Sequence, residues 1–118
     1  MARSHKPLLW LPFAAGGTIA ALLLPGLLLF TLLASLGVLP ADALSYSRVS
    51  ALASHWIGAV VLFIVLTSML WHAAHRLRMT IQDLGARTPP ARQWVARTCY
   101  GLAAVGTLIL LIALAGVS

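Results

Sequence analysis

Four histidines, two aspartates and one cysteine are the side chains of this chain best suited to bind metal or to exchange protons near neutral pH, and their spacing excludes most of that chemistry. Asp42 and Asp83 fall on opposite sides of the membrane in the topology that the charges dictate, so no paired-carboxylate site is expected. Cys99 stands alone, which rules out an intrachain disulfide and a multi-cysteine metal site. His5 lies in a polar tail. His55 and His75 are about 30 Å apart along a helix axis, too far to sandwich one haem. His72 and His75 share a helix face, and one face does not ligate both sides of a porphyrin. A haem held by this chain alone is therefore not expected, while one axial ligand completed by a partner chain stays open. No Ser-His-Asp motif and no Gly-rich phosphate loop is present. What remains is His75 beside Arg76, a group that exchanges protons near neutral pH next to a permanent cation.

The elements that position these residues are set by charge-free runs. Pro7 to Ala41, Val49 to His75 and Thr98 to Ser118 contain no Asp, Glu, Lys or Arg, and each is long enough to cross a hydrocarbon core that needs about 20 helical residues. With 61% hydrophobic residues in 118 and a mean hydropathy of +0.98, little sequence is left for a soluble domain. The fold class expected is an all-α membrane protein: residues 1–118 as one membrane-anchor domain, with spans at about 13–36, 51–75 and 98–117. The first charge-free run is far longer than the roughly 7–15 residues of a signal-peptide core, so it reads as a span. Pro25 is expected to kink it, Gly16, Gly17 and Gly26 to admit a neighbouring helix, and Gly37 to Pro40 to end it.

Of the eight Lys and Arg residues, Arg3, Lys6, Arg76, Arg78, Arg87, Arg92 and Arg97 fall on one side of this arrangement and Arg48 alone on the other. The positive-inside rule then puts the N-terminus and the second loop in the cytoplasm and the C-terminus outside. The net charge of +6 thus follows the membrane, and no nucleic-acid partner is expected. The topology gathers Trp10, His72, His75 and Arg76 at the cytoplasmic edge. Ionisable groups there serve as anchors or as a polar site. A quinone headgroup requires this combination of hydrogen-bonding groups, a proton route and an apolar wall open to lipid.

Several stretches together resemble the D subunit of quinol:fumarate reductase, a membrane anchor, over nearly the whole chain: Pro7-Leu-Leu-Trp10, Gly16-Gly17, Pro25, Pro40-Ala-Asp-Ala-Leu-Ser-Tyr46, Ile57-Gly58, His75-Arg76, Asp83-Leu84 and Tyr100-Gly-Leu-Ala-Ala104. The Asp42-to-Tyr46 block and the His75-Arg76 pair are the most specific. The resemblance implies a non-catalytic anchor subunit in the cell inner membrane, partnered by a flavoprotein subunit, an iron–sulfur subunit and a second three-span anchor. It implies no cofactor bound by this chain alone, menaquinone at a shared subunit interface, and quinone binding by Trp10, His75 and Arg76. Two places depart from the family pattern. Arg78 and Met79 stand where further histidines follow the pair, so the resemblance supplies no histidine relay, and Ala59 stands where a basic residue follows Ile-Gly. Two other readings are a succinate dehydrogenase anchor with a shared haem and a small membrane transporter that acts without partners.

Overall fold

A computed structural model describes residues 6–117, so Arg3 and His5 lie outside the described residues. The described residues form four helices: α1 (Lys6–Ser35), α2 (Tyr46–Ser54), α3 (Trp56–Leu84) and α4 (Pro89–Val117). Among the described residues, three segments are long and apolar enough to cross a membrane, Phe13–Ser35, Trp56–Leu84 and Pro89–Val117. The all-α, three-span class read from the charge-free runs is the observed one. Three hydroxyls inside the spans are satisfied locally: Thr18, Ser68 and Thr107 donate to the carbonyls of Ala14, Ile64 and Ala103, four residues back, whereas the buried Thr67 hydroxyl has no partner among the described residues.

The second span departs from its expected limits. The stretch from Val49 belongs to a separate helix, α2, which ends at Ser54; His55 is extended (φ −78°, ψ 129°) and α3 begins at Trp56. The reason is visible in the residues. Ser47, Arg48, Ser50, Ser54 and His55 make this stretch too polar to sit in hydrocarbon, and absence of charge alone does not register serines. The Nδ1 of His55 accepts from the backbone N–H of Ile57 at 3.3 Å, capping α3. α2 folds back so closely that a Cβ on the buried Gly58 would collide with the carbonyl oxygen of Leu52. Asp42 turns the preceding segment, its carbonyl accepting from the Ser45 N–H, and its carboxylate pairs with Arg48 at 2.7 Å.

α1 and α3 end by the same device. After α1, Gly37 takes φ +72° while the N–H groups of Gly37 and Val38 return to the carbonyls of Ala34 and Leu33; after α3, Gly85 takes φ +147° while those of Gly85 and Ala86 return to Gln82 and Ile81. Glycine enters the positive-φ region without the clash that a Cβ imposes. The turn at Gly85 leaves four residues, 85–88, between α3 and α4, where the expected spans, ending at 75 and resuming at 98, leave a far longer loop: both helices run on past the charge-free stretches. Pro89 and Pro90 then open α4, where no backbone donor is required. The molecule measures 53 Å in its longest direction, beyond a hydrocarbon core of about 30 Å.

α3 is the central element. α1 packs on one flank and α4 on another, while the backbones of α1 and α4 do not approach each other. Small residues make both seams. A Cβ on Gly16 of α1 would strike the Ser68 carbonyl of α3, and the buried α3–α4 contact is made by Ala74, Cys99 and Ala103. This is how helices associate where lipid removes the hydrophobic drive to bury large side chains. Few described side chains are buried, and leucines such as Leu22 and Leu28 of α1 stay largely exposed (72% and 69%).

Candidate functional site

The helical repeat places Trp71, His75, Arg78 and Gln82 along one stripe of α3, at successive steps of four, three and four residues, with Ser68 and His72 on the adjoining stripe. The first stripe faces α4 and the second faces α1. His75 lies where the two meet, and the α3 segment that carries it continues past the expected end of the span to Leu84.

On the α4 side the anchor is Tyr100. Its hydroxyl lies 2.7 Å from His75 Nδ1 and accepts from Arg78 Nη1 at 2.9 Å. The Arg78 guanidinium also sits over the Tyr100 ring, 5.5 Å from its centre. Trp71 stacks with the same ring, 5.9 Å between centroids and 19° between planes. Its indole N–H donates to the Thr107 hydroxyl at 3.0 Å, which in turn donates to the Ala103 carbonyl at 2.8 Å. These bonds hold the stripe against α4 at two levels.

On the α1 side the anchor is Phe13. Its ring lies 4.5 Å from that of His72, nearly parallel at 13°, and 4.4 Å from that of His75, tilted by 57°. His72 Nδ1 meets the Phe13 carbonyl at 3.0 Å. A carbonyl only accepts, so this nitrogen carries the His72 proton. The imidazole has room because Gly17 has no side chain: a Cβ there would lie 2.6 Å from His72 Cε1. The result is a half-buried pair of imidazoles with an aromatic wall on one side and a hydroxyl and guanidinium on the other.

Of the residues predicted from sequence, His75 occupies the centre of the cluster. Trp10 is at the same end of the molecule but 66% exposed, and it makes no ring contact among the described residues. Arg76 is exposed, and its guanidinium forms no hydrogen bond or ion pair among the described residues. The aromatic residue that reaches the histidines is Phe13, one turn after Trp10, and the guanidinium bonded into the cluster is Arg78, two positions after Arg76. Arg78 is legible from its i, i+3 relation to His75. Tyr100 is legible only from depth, as the phenol near the start of the third charge-free run, opposite the end of the second. Phe13 has no distinguishing signal in a run of apolar residues.

Three membrane-competent helices, a thin small-residue interior and a polar cluster at one end define a small polytopic membrane subunit. Comparison with known proteins makes that class specific. The family model for the D subunit of fumarate reductase matches residues 1–115. The chain is 41% identical over 104 residues to the fumarate reductase D subunit of Vibrio cholerae, covering 87% of this chain and 78% of that one. With the D subunit of Mycobacterium tuberculosis fumarate reductase it shares 39% identity over 106 residues, 89% of this chain and 82% of the relative, and with that of Aliivibrio fischeri 35% over 108 residues, 91% and 88%. The chain belongs to the family of fumarate reductase D subunits.

Proposed function

We propose that this chain anchors the flavoprotein and iron–sulfur subunits of a quinol:fumarate reductase to the cytoplasmic face of the cell inner membrane, beside a second three-span anchor, and supplies one wall of the site where menaquinol is oxidised. In this reading the arginine-rich end is cytoplasmic, following the seven-to-one division of Lys and Arg. The observation that carries the quinol reading is the His75 cluster. Its Nε2 has no hydrogen-bond partner among the described residues, and an aromatic wall, Phe13, lies 4.4 Å away at the end of the span where a lipid-borne headgroup arrives. A quinol headgroup presents two hydroxyl oxygens on an aromatic ring, and this pairing of a polar nitrogen with a ring face matches it.

The function is one of placement. Menaquinol releases two electrons, which pass to the iron–sulfur subunit and on to the flavin, and two protons, which leave toward the cytoplasm. His75 hydrogen-bonds one headgroup oxygen, and Trp10 and Arg76, at the same end, orient the headgroup from the partner side. Exposure of both residues in the isolated chain is consistent with a site completed by other subunits.

The test is His75→Ala in the assembled complex. Quinol-driven fumarate reduction is expected to fall by about 10-fold, the scale of one lost hydrogen bond to the headgroup, while reduction driven by a soluble viologen dye that feeds the iron–sulfur subunit directly stays at the parent rate. Unchanged quinol-driven turnover overturns the role of His75. A chain that never co-purifies with an iron–sulfur protein in mild detergent overturns the anchor reading.

A further inference from the structure

We infer that Tyr100, held by Arg78, is a positioning residue that fixes the His75 ring as a hydrogen-bond donor at Nε2. Counting hydrogens decides the assignment. Arginine only donates, so the 2.9 Å contact from Arg78 Nη1 occupies one lone pair of the Tyr100 oxygen. The hydroxyl hydrogen must then find an acceptor, and His75 Nδ1, at 2.7 Å, is the one within hydrogen-bonding distance among the described residues. If Nδ1 carried a hydrogen instead, the half-buried phenol would have no acceptor for its own hydrogen among the described residues, and the cost of that unmade bond selects against it. Nδ1 therefore accepts, and the neutral ring carries its hydrogen on Nε2.

His72, three residues away, is set the other way. The Phe13 carbonyl requires a hydrogen on His72 Nδ1, leaving its Nε2 with a lone pair. Two imidazoles on one helix thus carry opposite tautomers, each imposed by a different neighbouring helix. The Arg78 guanidinium is fixed more firmly than an ordinary surface arginine. It spans the Tyr100 ring at 5.5 Å, and its Nε is buried without a partner, so its orientation is held by Nη1 and by the ring. Arg76, exposed on a different face, has no part in this arrangement.

The inference rests on the quinol reading only for its consequence: a donor at Nε2 holds a headgroup oxygen by giving a hydrogen to it, whichever redox state that oxygen is in. The tautomer itself is a property of this chain. The experiment is magic-angle-spinning NMR of the assembled complex in lipid, with the chain labelled by ring-15N histidine and His75 assigned by comparison with His75→Gln. His75 is expected to show an unprotonated Nδ1 and a protonated Nε2, and His72 the reverse. In Tyr100→Phe, His75 shifts toward the Nδ1-protonated form while His72 is unchanged, and Arg78→Met shifts His75 partway.

Quinol-driven turnover in Tyr100→Phe is expected to show a KM raised about 10-fold, the scale of one lost hydrogen bond, with viologen-driven turnover intact. A tautomer shift with an unchanged KM keeps the positioning role and overturns the quinol reading instead. A His75 tautomer indifferent to Tyr100→Phe overturns the inference, whatever happens to turnover. Should Tyr100→Phe fail to assemble, Arg78→Met carries the same two outcomes on the tautomer.

Discussion

The two halves of α1 are built from the same kinds of residue and behave differently. Near the arginine-rich end, Phe13, Gly16 and Gly17 are pressed into α3, with a backbone-to-backbone approach at Gly16 and a stacked imidazole at Gly17. In the other half, every residue from Ala21 to Phe30 is exposed, and a Cβ added to Gly26 would meet nothing within 4 Å. Composition does not separate the halves, since both are apolar and both contain glycine. The difference lies in what stands opposite. His72 and Ser68 give the first half groups to close upon, and the second half is left to lipid or another chain. In a bilayer, leucine gains nothing from leaving lipid for a protein surface, so contact is decided by close approach and by polar partners.

The strongest way to break this contrast is Gly16→Leu. Overpacking typically costs about 1–3 kcal/mol, and here the obstacle is the Ser68 carbonyl, which does not rotate away. The α1–α3 seam is expected to open, seen as loss of the chain from the purified complex and an earlier midpoint in dodecyl sulfate unfolding. A Gly16→Leu protein that assembles normally would mean that the seam at Gly16 is not required. A smaller effect is expected from Trp71→Phe, which removes the bond to Thr107 but leaves the hydroxyl its Ala103 carbonyl. Interhelical hydrogen bonds of this kind average about 0.6 kcal/mol, measurable as a modest midpoint shift with turnover retained.

The smallest effect, and the one that sharpens the comparison most, is Gly26→Ala. In the isolated chain it is expected to be neutral or stabilising by up to about 1 kcal/mol, because alanine is the better helix former and nothing obstructs it. The same variant destabilising the complex but not the isolated chain would locate a partner helix on the outer half of α1. Equal behaviour in both would assign that face to lipid.

Much of the fold is legible from where charge is missing. The absence of Asp, Glu, Lys and Arg over three long runs is sufficient for three spans, and Gly37 marks where the first helix stops, whereas α4 begins at Pro89, nine residues before the expected start at 98, because its first turns carry arginines. The same criterion puts the opening of the second span inside α2, because serines and an interfacial histidine carry no charge yet hydrogen-bond water and backbone. At the site, His75 is legible because a histidine beside an arginine at a span end is expensive without purpose. The partners on the other helices are not, because which of several aromatics lies opposite depends on crossing and rotation of helices, which one sequence encodes through packing alone. Hence Trp10 stands out for its type, whereas Phe13, one turn further, makes the contact.

That α1 and α4 flank α3 without meeting each other gives the molecule the form of a half-opened book with His75 in the gutter. A chain laid into that opening would meet an imidazole, a phenol and a guanidinium already bonded to one another, so this polar set is held in place before the neighbour arrives.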